Sequence, residues 1–303
     1  MTAIRVTNVS PNLKLLDLQP PIPGYGKFIS SYLVNGGKKA VIDPGPAVAT
    51  HGLLEALAES GTKPEEIDYI VLTHIHIDHA GGAGNAVKAM PNAMVVVHER
   101  AVHHLVNPQK LWNASLLTLG DLAIKYGEIE PVPAGRIVAA QDNMKLDLGG
   151  RELEIYFTPG HAIHHLSLFD RASGILLAGE AAGVCTEGKV RPATPPPFKL
   201  EEMLASVDKL IELKPTKLCY GHFGCYDNGL ARLKQYREKL LTWHKTVNEE
   251  TGRSKNPEEI LAILREQDSD LSYLEKLGDD EYKRELILLL NSIRGMSSTS
   301  QIH

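Results

Sequence analysis

Residues 73–82 read "THIHIDHAGG" and place His74, His76, Asp78 and His79 in a short arc directly after the apolar run "IDYIVLT" (67–73). A lone histidine in a turn is more often a packed or solvated side chain than a ligand. These four are neither lone nor randomly spaced. His74 and His76 lie two apart, so in an extended segment they point the same way and can hold one ion together. Asp78 and His79 fall where the chain turns toward a helix, and can present a carboxylate and a third imidazole to a second ion. Three imidazoles and a carboxylate packed together without a cation would be desolvated with nothing to compensate.

One loop cannot close two coordination spheres, and the sequence offers more ligands at the ends of apolar runs. "FTPGHAIHH" gives His161 after a Pro-Gly turn, "ILLAGEAAG" gives Glu180, and "KLCYGHFG" gives His222. Each stands beside glycine, where the backbone can approach closely and a side chain can reach a shared cleft.

Around these motifs the chain alternates strands and helices. "SSYLVNGGKKAVIDPG" reads as a hairpin around Asn-Gly-Gly, ending in Asp43 and a Pro-Gly stop. "VATHGLLEALAESG" has helical spacing and stops at Gly61. "IDYIVLT" and "AMVVVHE" are buried strands on either side of a helix in "AGGAGNAVKAM", a β-α-β succession. Residues 99–126 read as mostly helical, and His98, His103 and His104, lacking ligand spacing, are assigned to a surface or partly packed helix. Strands return in "MKLDLGG", "RELEIYF", "HLSLFD" and "GILLAGE", followed by an amphipathic helix from 199 and a last strand in "TKLCYGH". Residues from about 228 read as helical throughout. Asn256 and Pro257 ahead of Glu258 and Glu259 make a helix start, and the stripe Leu230, Leu233, Tyr236, Leu240 needs a surface to bury against. "PATPPPF" is a stiff loop.

The order HxHxDH, TPGH, a Gly-acid after a strand, and a late Gly-His resembles the metallo-β-lactamase superfamily of dinuclear metallohydrolases, over roughly residues 28–225. "AVIDPG" is similar to that family's first motif, which implies that Asp43 supports the site from behind the ligands. The resemblance implies an α+β fold, the αββα sandwich, with the site at one edge of two sheets. It implies a catalytic domain over 1–227, and 228–303 reads as a helical C-terminal appendage packed on it. Position by position, it implies that His74, His76 and His161 hold the first metal, and that Asp78, His79 and His222 hold the second. Glu180 takes the place of the bridging carboxylate, where the family usually has Asp. His165 matches a further family histidine and is read as a structural hydrogen bond behind the ligands; His164 is read as peripheral.

The expected cofactors are two zinc ions, with iron or manganese also suiting these ligands. Two divalent ions sharing a water make a hydroxide nucleophile, with Asp78 as the catalytic group that orients it and passes a proton on. The expected reaction is hydrolysis of a lactone, ester or thioester, in the manner of glyoxalase II and the acyl-homoserine lactonases. Alternatives are a β-lactam, phosphodiester or phosphotriester hydrolase, a mono-iron persulfide dioxygenase that leaves His79 and His222 without a ligand role, and a non-enzymatic binding protein on the same fold. Tyr25, Phe28 and Pro195–Phe198 are candidates for the wall of the cleft.

Composition narrows the partners. A net charge of −5 with acids and bases mixed along the chain supplies no basic footprint for nucleic acid. No stretch approaches a membrane span, and the start "MTAIRVTNVSPN" carries no secretory signal pattern, so a cytoplasmic enzyme acting on a small molecule is expected, and a homo-oligomer is compatible. Cys185, Cys219 and Cys225 are odd in number and lack CxxC spacing, which predicts free thiols.

Overall fold

The Asn-Gly-Gly turn reverses the chain as its sequence predicts, pairing residues 30–35 antiparallel to 39–42. This hairpin is the centre of a larger sheet in the computed structural model, which describes residues 5–298. Its strands are β1 (Val6–Ser10), β2 (Leu13–Asp17), β3 (Ser30–Asn35), β4 (Lys39–Ile42), β5 (Ile67–Val71), β6 (Met94–His98) and β7 (Ile137–Ala140), in that spatial order. β1 to β4 are antiparallel neighbours, and β4 to β7 run parallel. Parallel pairing requires crossovers, supplied by α1 (Thr50–Glu59), by α2 (Ile77–Ala80) with α3 (Ala83–Ala89), and by α4 (Val102–Val106), α5 (Gln109–Leu119) and α6 (Asp121–Tyr126).

A second sheet contains β8 (Lys145–Asp147), β9 (Glu152–Phe157), β10 (Leu166–Asp170) and β11 (Ile175–Gly179). A small hairpin follows, β12 (Val184–Thr186) with β13 (Lys189–Arg191), and then α7 (Leu200–Glu212). β14 (Lys217–Tyr220) and β15 (Cys225–Asp227) complete the sheet, whose order is β15-β14-β11-β10-β9-β8. The period of two in each strand then builds the layers. Val96 and Val71 face Leu153, Ile155, Leu168 and Leu177 between the sheets, whereas Val95 and Val97 face outward into a cluster with Leu53 and Leu57 of α1. On the far side, Leu176 and Leu218 pack with Leu210 of α7 and Leu233. Helix, sheet, sheet, helix is the expected αββα sandwich.

The C-terminal layer consists of α8 (Gly229–Gly252), α9 (Pro257–Gln267) and α10 (Asp279–Ser298). Asn256 caps α9 through Glu259 N–H, and the Glu259 carboxylate returns to the Asn256 N–H, with Pro257 at the first position. Leu233, Tyr236 and Leu240 are buried as expected, and Leu230 is half-buried. One cluster joins Phe198, Met203 and Val207 to Tyr236, Trp243, Leu261, Leu274 and Ile293, so a single apolar core runs across residue 228. Residues 1–4 and 299–303 of the two expected domains lie outside the described residues. Among those described, no helix is long and apolar enough to cross a membrane.

The expectation of free thiols is corrected for two of the three cysteines. Cys219 and Cys225 form a disulfide, and only Cys185 stays a buried free thiol. Spacing could not reveal the pair because its proximity comes from strand register: β14 and β15 turn back on each other and set Cys219 opposite Cys225. The strands β1, β2, β7, β12, β13 and β15, short or interrupted by polar residues and mostly at sheet edges, are additions to the sequence reading.

Candidate metal centre

The C-terminal ends of strands converge at one edge of the sandwich. Asp43 follows β4, Thr73 to His79 follow β5, His161 follows β9, Glu180 follows β11 and His222 follows β14. The segment from Thr73 to His76 is outside regular structure, and His76 takes an extended backbone as the residue before α2. Asp78 and His79 therefore sit on the first turn of that helix, where the sequence placed the turn.

Two groups of side chains come together, His74 with His76, His161 and Glu180, and Asp78 with His79 and His222. In the first, His76 Nδ1 lies 3.1 Å from His74 Nε2 and 2.9 Å from His161 Nε2. In the second, His79 Nε2 and His222 Nε2 are 2.9 Å apart, and Asp78 Oδ2 is 3.7 and 3.4 Å from them. Glu180 reaches both. Its Oε2 is 3.0 Å from His161 Nε2 and 3.3 Å from His74 Nε2, and also 3.3 Å from His79 Nε2 and 3.8 Å from His222 Nε2.

The opposite ring nitrogens decide what those atoms present. His161 Nδ1–H donates to Ala193 O (2.9 Å), His222 Nδ1–H to Phe28 O (3.0 Å) and His79 Nδ1–H to Asp43 Oδ2 (3.2 Å). Thr73 Oγ1–H donates to Asp43 Oδ2 (2.7 Å), which leaves the hydroxyl oxygen to accept from His74 Nδ1–H (3.0 Å). Each ring has its proton on the outer nitrogen, so the Nε2 lone pairs point inward at one another. Two such nitrogens at 2.9 Å need a positive charge between them, a shared proton or a metal cation, and this donor set fits divalent metal.

Charge agrees with that reading. Burial alone would raise Asp78, but His79 and His222 hold it down to about 2. Burial likewise opposes charge on Glu180, yet His161 and His222 hold it well below the usual carboxylate range. The carboxylates thus draw positive charge into the pocket, which a second proton on the inner nitrogen or a metal cation can supply: despite burial, Asp78 and Asp43 pull His79 well above imidazole's ordinary value, and Glu180 pulls His161 up. Burial keeps His74 neutral, with its pKa well below the ordinary value, and, with His161 beside it, takes His76 down to about 4.

Asp43 sits behind the site as expected and does more than one job. In a left-handed backbone conformation (φ 53°), it accepts from both the N–H and the hydroxyl of Thr73 and from His79. His165 is a support, as read from the sequence. It accepts the Glu180 N–H on Nε2 (3.1 Å) and donates from Nδ1 to Thr158 Oγ1 (2.8 Å), whose hydroxyl passes on to Ser167 Oγ (2.9 Å) and from there to Ala178 O (3.1 Å). That chain fixes the backbone from which Glu180 springs. Gly179 is required there, since it has φ 56° and a Cβ would come 2.6 Å from His165 Nε2.

A cavity of about 470 Å³ opens over the centre and is lined by His76, Asp78, His161, Glu180 and His222. Its outer wall is largely apolar, with Leu111, Leu119, Ile163, Pro195–Pro197 and Leu288, and Phe28 at its base. Tyr25 and Phe198, candidates for this wall, are buried behind it. His164 lines the cavity and is held neutral, at about 3, by burial and by His76. His98 lies apart from the metal-ligand groups, ends β6, accepts from Arg100 N–H and stacks on Phe157; His103 and His104 lie against each other in α4 with their rings tilted by 40°. The sequence reading missed Thr73, the Thr158–Ser167 relay and the carbonyls of Phe28 and Ala193. Thr73 alone carried a signal, its place at the head of the motif.

Comparison with known proteins agrees with the fold. A family model described as the metallo-beta-lactamase superfamily matches residues 24–222. The metallo-beta-lactamase fold-containing protein ST1585 of Sulfurisphaera tokodaii is 34% identical over 164 residues, 53% of this chain and 62% of that protein, so the match spans less than two thirds of its length. A crystal structure of ST1585 from Sulfolobus tokodaii superposes with a TM-score of 0.66 at 28% identity, over 77% of this chain and 87% of that one. Hydroxyacylglutathione hydrolase of Cronobacter sakazakii is 27% identical over 248 residues, 81% of this chain and 80% of that protein.

Proposed function

The chain belongs to the metallo-beta-lactamase superfamily, and from that premise we propose that it is a dinuclear metal-dependent hydrolase of lactones, esters or thioesters with an apolar substituent. The observation that carries this reading is the single carboxylate oxygen of Glu180 between two sets of inward-facing lone pairs. His74, His76 and His161 would hold one ion, Asp78, His79 and His222 the other, and Glu180 both. Zinc suits so imidazole-rich a set. Bound there, two divalent cations would supply Lewis acidity to the electrophile and bring a water's pKa toward neutrality.

The side chains supply the rest. Asp78 is half-buried at the cavity floor and stays ionised, so it can orient a water and accept its proton. Phe28 and the apolar wall exclude competing solvent from that water's approach. The mono-iron dioxygenase alternative leaves His79 and His222 without work, although their Nε2 atoms are held face to face by separate anchors.

The wall speaks to substrate. Its cations are already paired: Arg191 with Glu285 (2.7 Å) and Lys199 with Glu202 (2.7 Å). A glutathione thioester would bring two carboxylates into this setting with no unpaired lysine or arginine among the described lining residues to meet them. An apolar acyl or alkyl group matches Leu111, Leu119, Ile163 and Leu288 instead. The test is elemental analysis of metal-replete protein, then a panel of thioesters, lactones, alkyl esters, β-lactams and phosphodiesters. Two metal equivalents are expected, with kcat/KM for esters rising about threefold to fourfold per added acyl methylene until the cavity fills. One equivalent would refute the dinuclear claim, and a preference for the glutathione thioester over uncharged esters would refute the substrate claim.

A further inference from the structure

The two backbone carbonyls that hold ligand-type histidines among the described residues lie in irregular loops. Ala193 O, the acceptor for His161, is in the stretch between β13 and α7; Phe28 O, the acceptor for His222, is in the stretch between β2 and β3. Neither residue belongs to a strand that would fix its position. Both loops are instead fastened to α10, from consecutive residues.

Glu285 accepts from Arg191 Nε at 2.7 Å, just before the Ala193 stretch, in a fully buried pair. About two turns along the helix, Ser292 secures the same stretch. Its hydroxyl donates to Pro192 O (3.1 Å), and its carbonyl accepts from Thr194 Oγ1 (3.0 Å). Gly295 lets the two backbones close up, since a Cβ there would come 1.8 Å from Thr194 O. Arg284 turns to the other loop. Its guanidinium lies 4.0 Å from the Phe28 ring centroid and donates to Gly24 O. Phe28 in turn stacks on His222 (4.2 Å, 26°). Glu285 ties the two arms together by accepting from Arg284 Nη2 (3.1 Å) and Tyr273 O–H (2.7 Å) as well.

We infer that α10 is a positioning element for the metal centre, with Arg284, Glu285 and Ser292 as positioning residues that set one histidine of each group without touching any ion. This rests on the metal-site reading above. The physical reason is that an outer hydrogen-bond partner fixes the tautomer, direction and basicity of a ligating imidazole. A carbonyl can do that only as well as its own backbone is held. The arm through Ser292 governs His161, and the arm through Arg284 governs His222.

The test uses the full chain and zinc and cobalt(II) ions as probes. Ser292→Ala removes the hydroxyl held against Pro192 O. Arg284→Lys keeps the charge but loses the flat face over Phe28 and the fork that reaches both Gly24 O and Glu285. Each is expected to weaken zinc binding in chelator competition by about tenfold or more, and to shift the visible spectrum of the cobalt-loaded protein. The unfolding midpoint of metal-stripped Ser292→Ala should stay near that of the parent. Wild-type affinity and an unchanged cobalt spectrum in Ser292→Ala would overturn the inference, whatever becomes of Arg284→Lys. So would a loss of affinity that only follows the loss of folded protein. A parent protein that takes up no zinc would overturn the metal-site reading itself, and this inference with it.

Discussion

The strand-end face of the sandwich and the C-terminal helical layer divide the labour unequally. Every side chain in the two metal-ligand groups lies between His74 and His222, at strand ends or on the first turn of α2. The helices after residue 228 supply none. They supply Leu288, Asn291 and Ser292 to the cavity wall, the buried Arg191–Glu285 pair and the support of two loops. The difference separates the residues that do chemistry from the residues that make their geometry repeatable. The first kind can be dense in sequence, because a loop and a few strand ends suffice. The second kind must come from wherever the fold brings a rigid element close.

If the helical layer were a passenger, ending the chain at residue 227 would leave a working hydrolase. The largest effect expected is the opposite: loss of cooperative unfolding and of near-ultraviolet circular dichroism. Phe198, Met203 and Val207 would lose their apolar cover, and Arg191 would be left without its buried partner. A soluble, cooperatively folding fragment with parental kinetics would erase the distinction between the two regions.

On the chemical face the reverse pattern is expected. His76→Ala should lower hydrolysis by more than the roughly 100-fold that loss of an outer partner can cost a metal site. The unfolding midpoint of the metal-stripped protein should move little, because His76 is half-buried at the cavity and outside the apolar clusters. A variant with parental turnover would show that the loop is not the active centre.

A finer cut compares charge with reach at Glu180. Glu180→Gln is expected to lower kcat by at least the roughly 100-fold that loss of an outer partner can cost and Glu180→Asp by far less, because glutamine removes a negative charge between two cations and aspartate keeps it. The opposite order, read from kcat together with metal content, would make Glu180 a packing residue. The smallest effect belongs to the helical layer. Burial works against a charge on Glu285, but Arg191 and Arg284 hold its carboxyl at about 2, below the ordinary 4.5. The stabilisation is therefore full above pH 4.5 and is lost as pH falls from there toward 2. Glu285→Gln should lack this component, so between pH 5 and pH 3 the parent should lose about 2 kcal/mol more than the variant in urea unfolding of metal-stripped protein. Parallel losses in both proteins would refute the assignment.

The sequence by itself determined the layers and the ligand candidates. The all-apolar run in "MVVVH" marks a strand buried on both faces, and the period of two, a local property of the chain, puts Val96 on one face and Val95 and Val97 on the other. The i, i+2 spacing of His74 and His76 and the strand-end positions of His161, Glu180 and His222 are local as well. What depended on tertiary structure had no local trace. Cys219 meets Cys225 through strand register, and His76 turns Nδ1 inward where its neighbours turn Nε2. Arg284 reaches Gly24 across 260 residues of chain, and Arg191 finds Glu285 across 94. An arginine, a glutamate or a backbone carbonyl carries no mark of a partner that far away. Only the packing of α10 against two irregular loops decides which of them meet, and that packing follows from an apolar core shared by helices on both sides of residue 228.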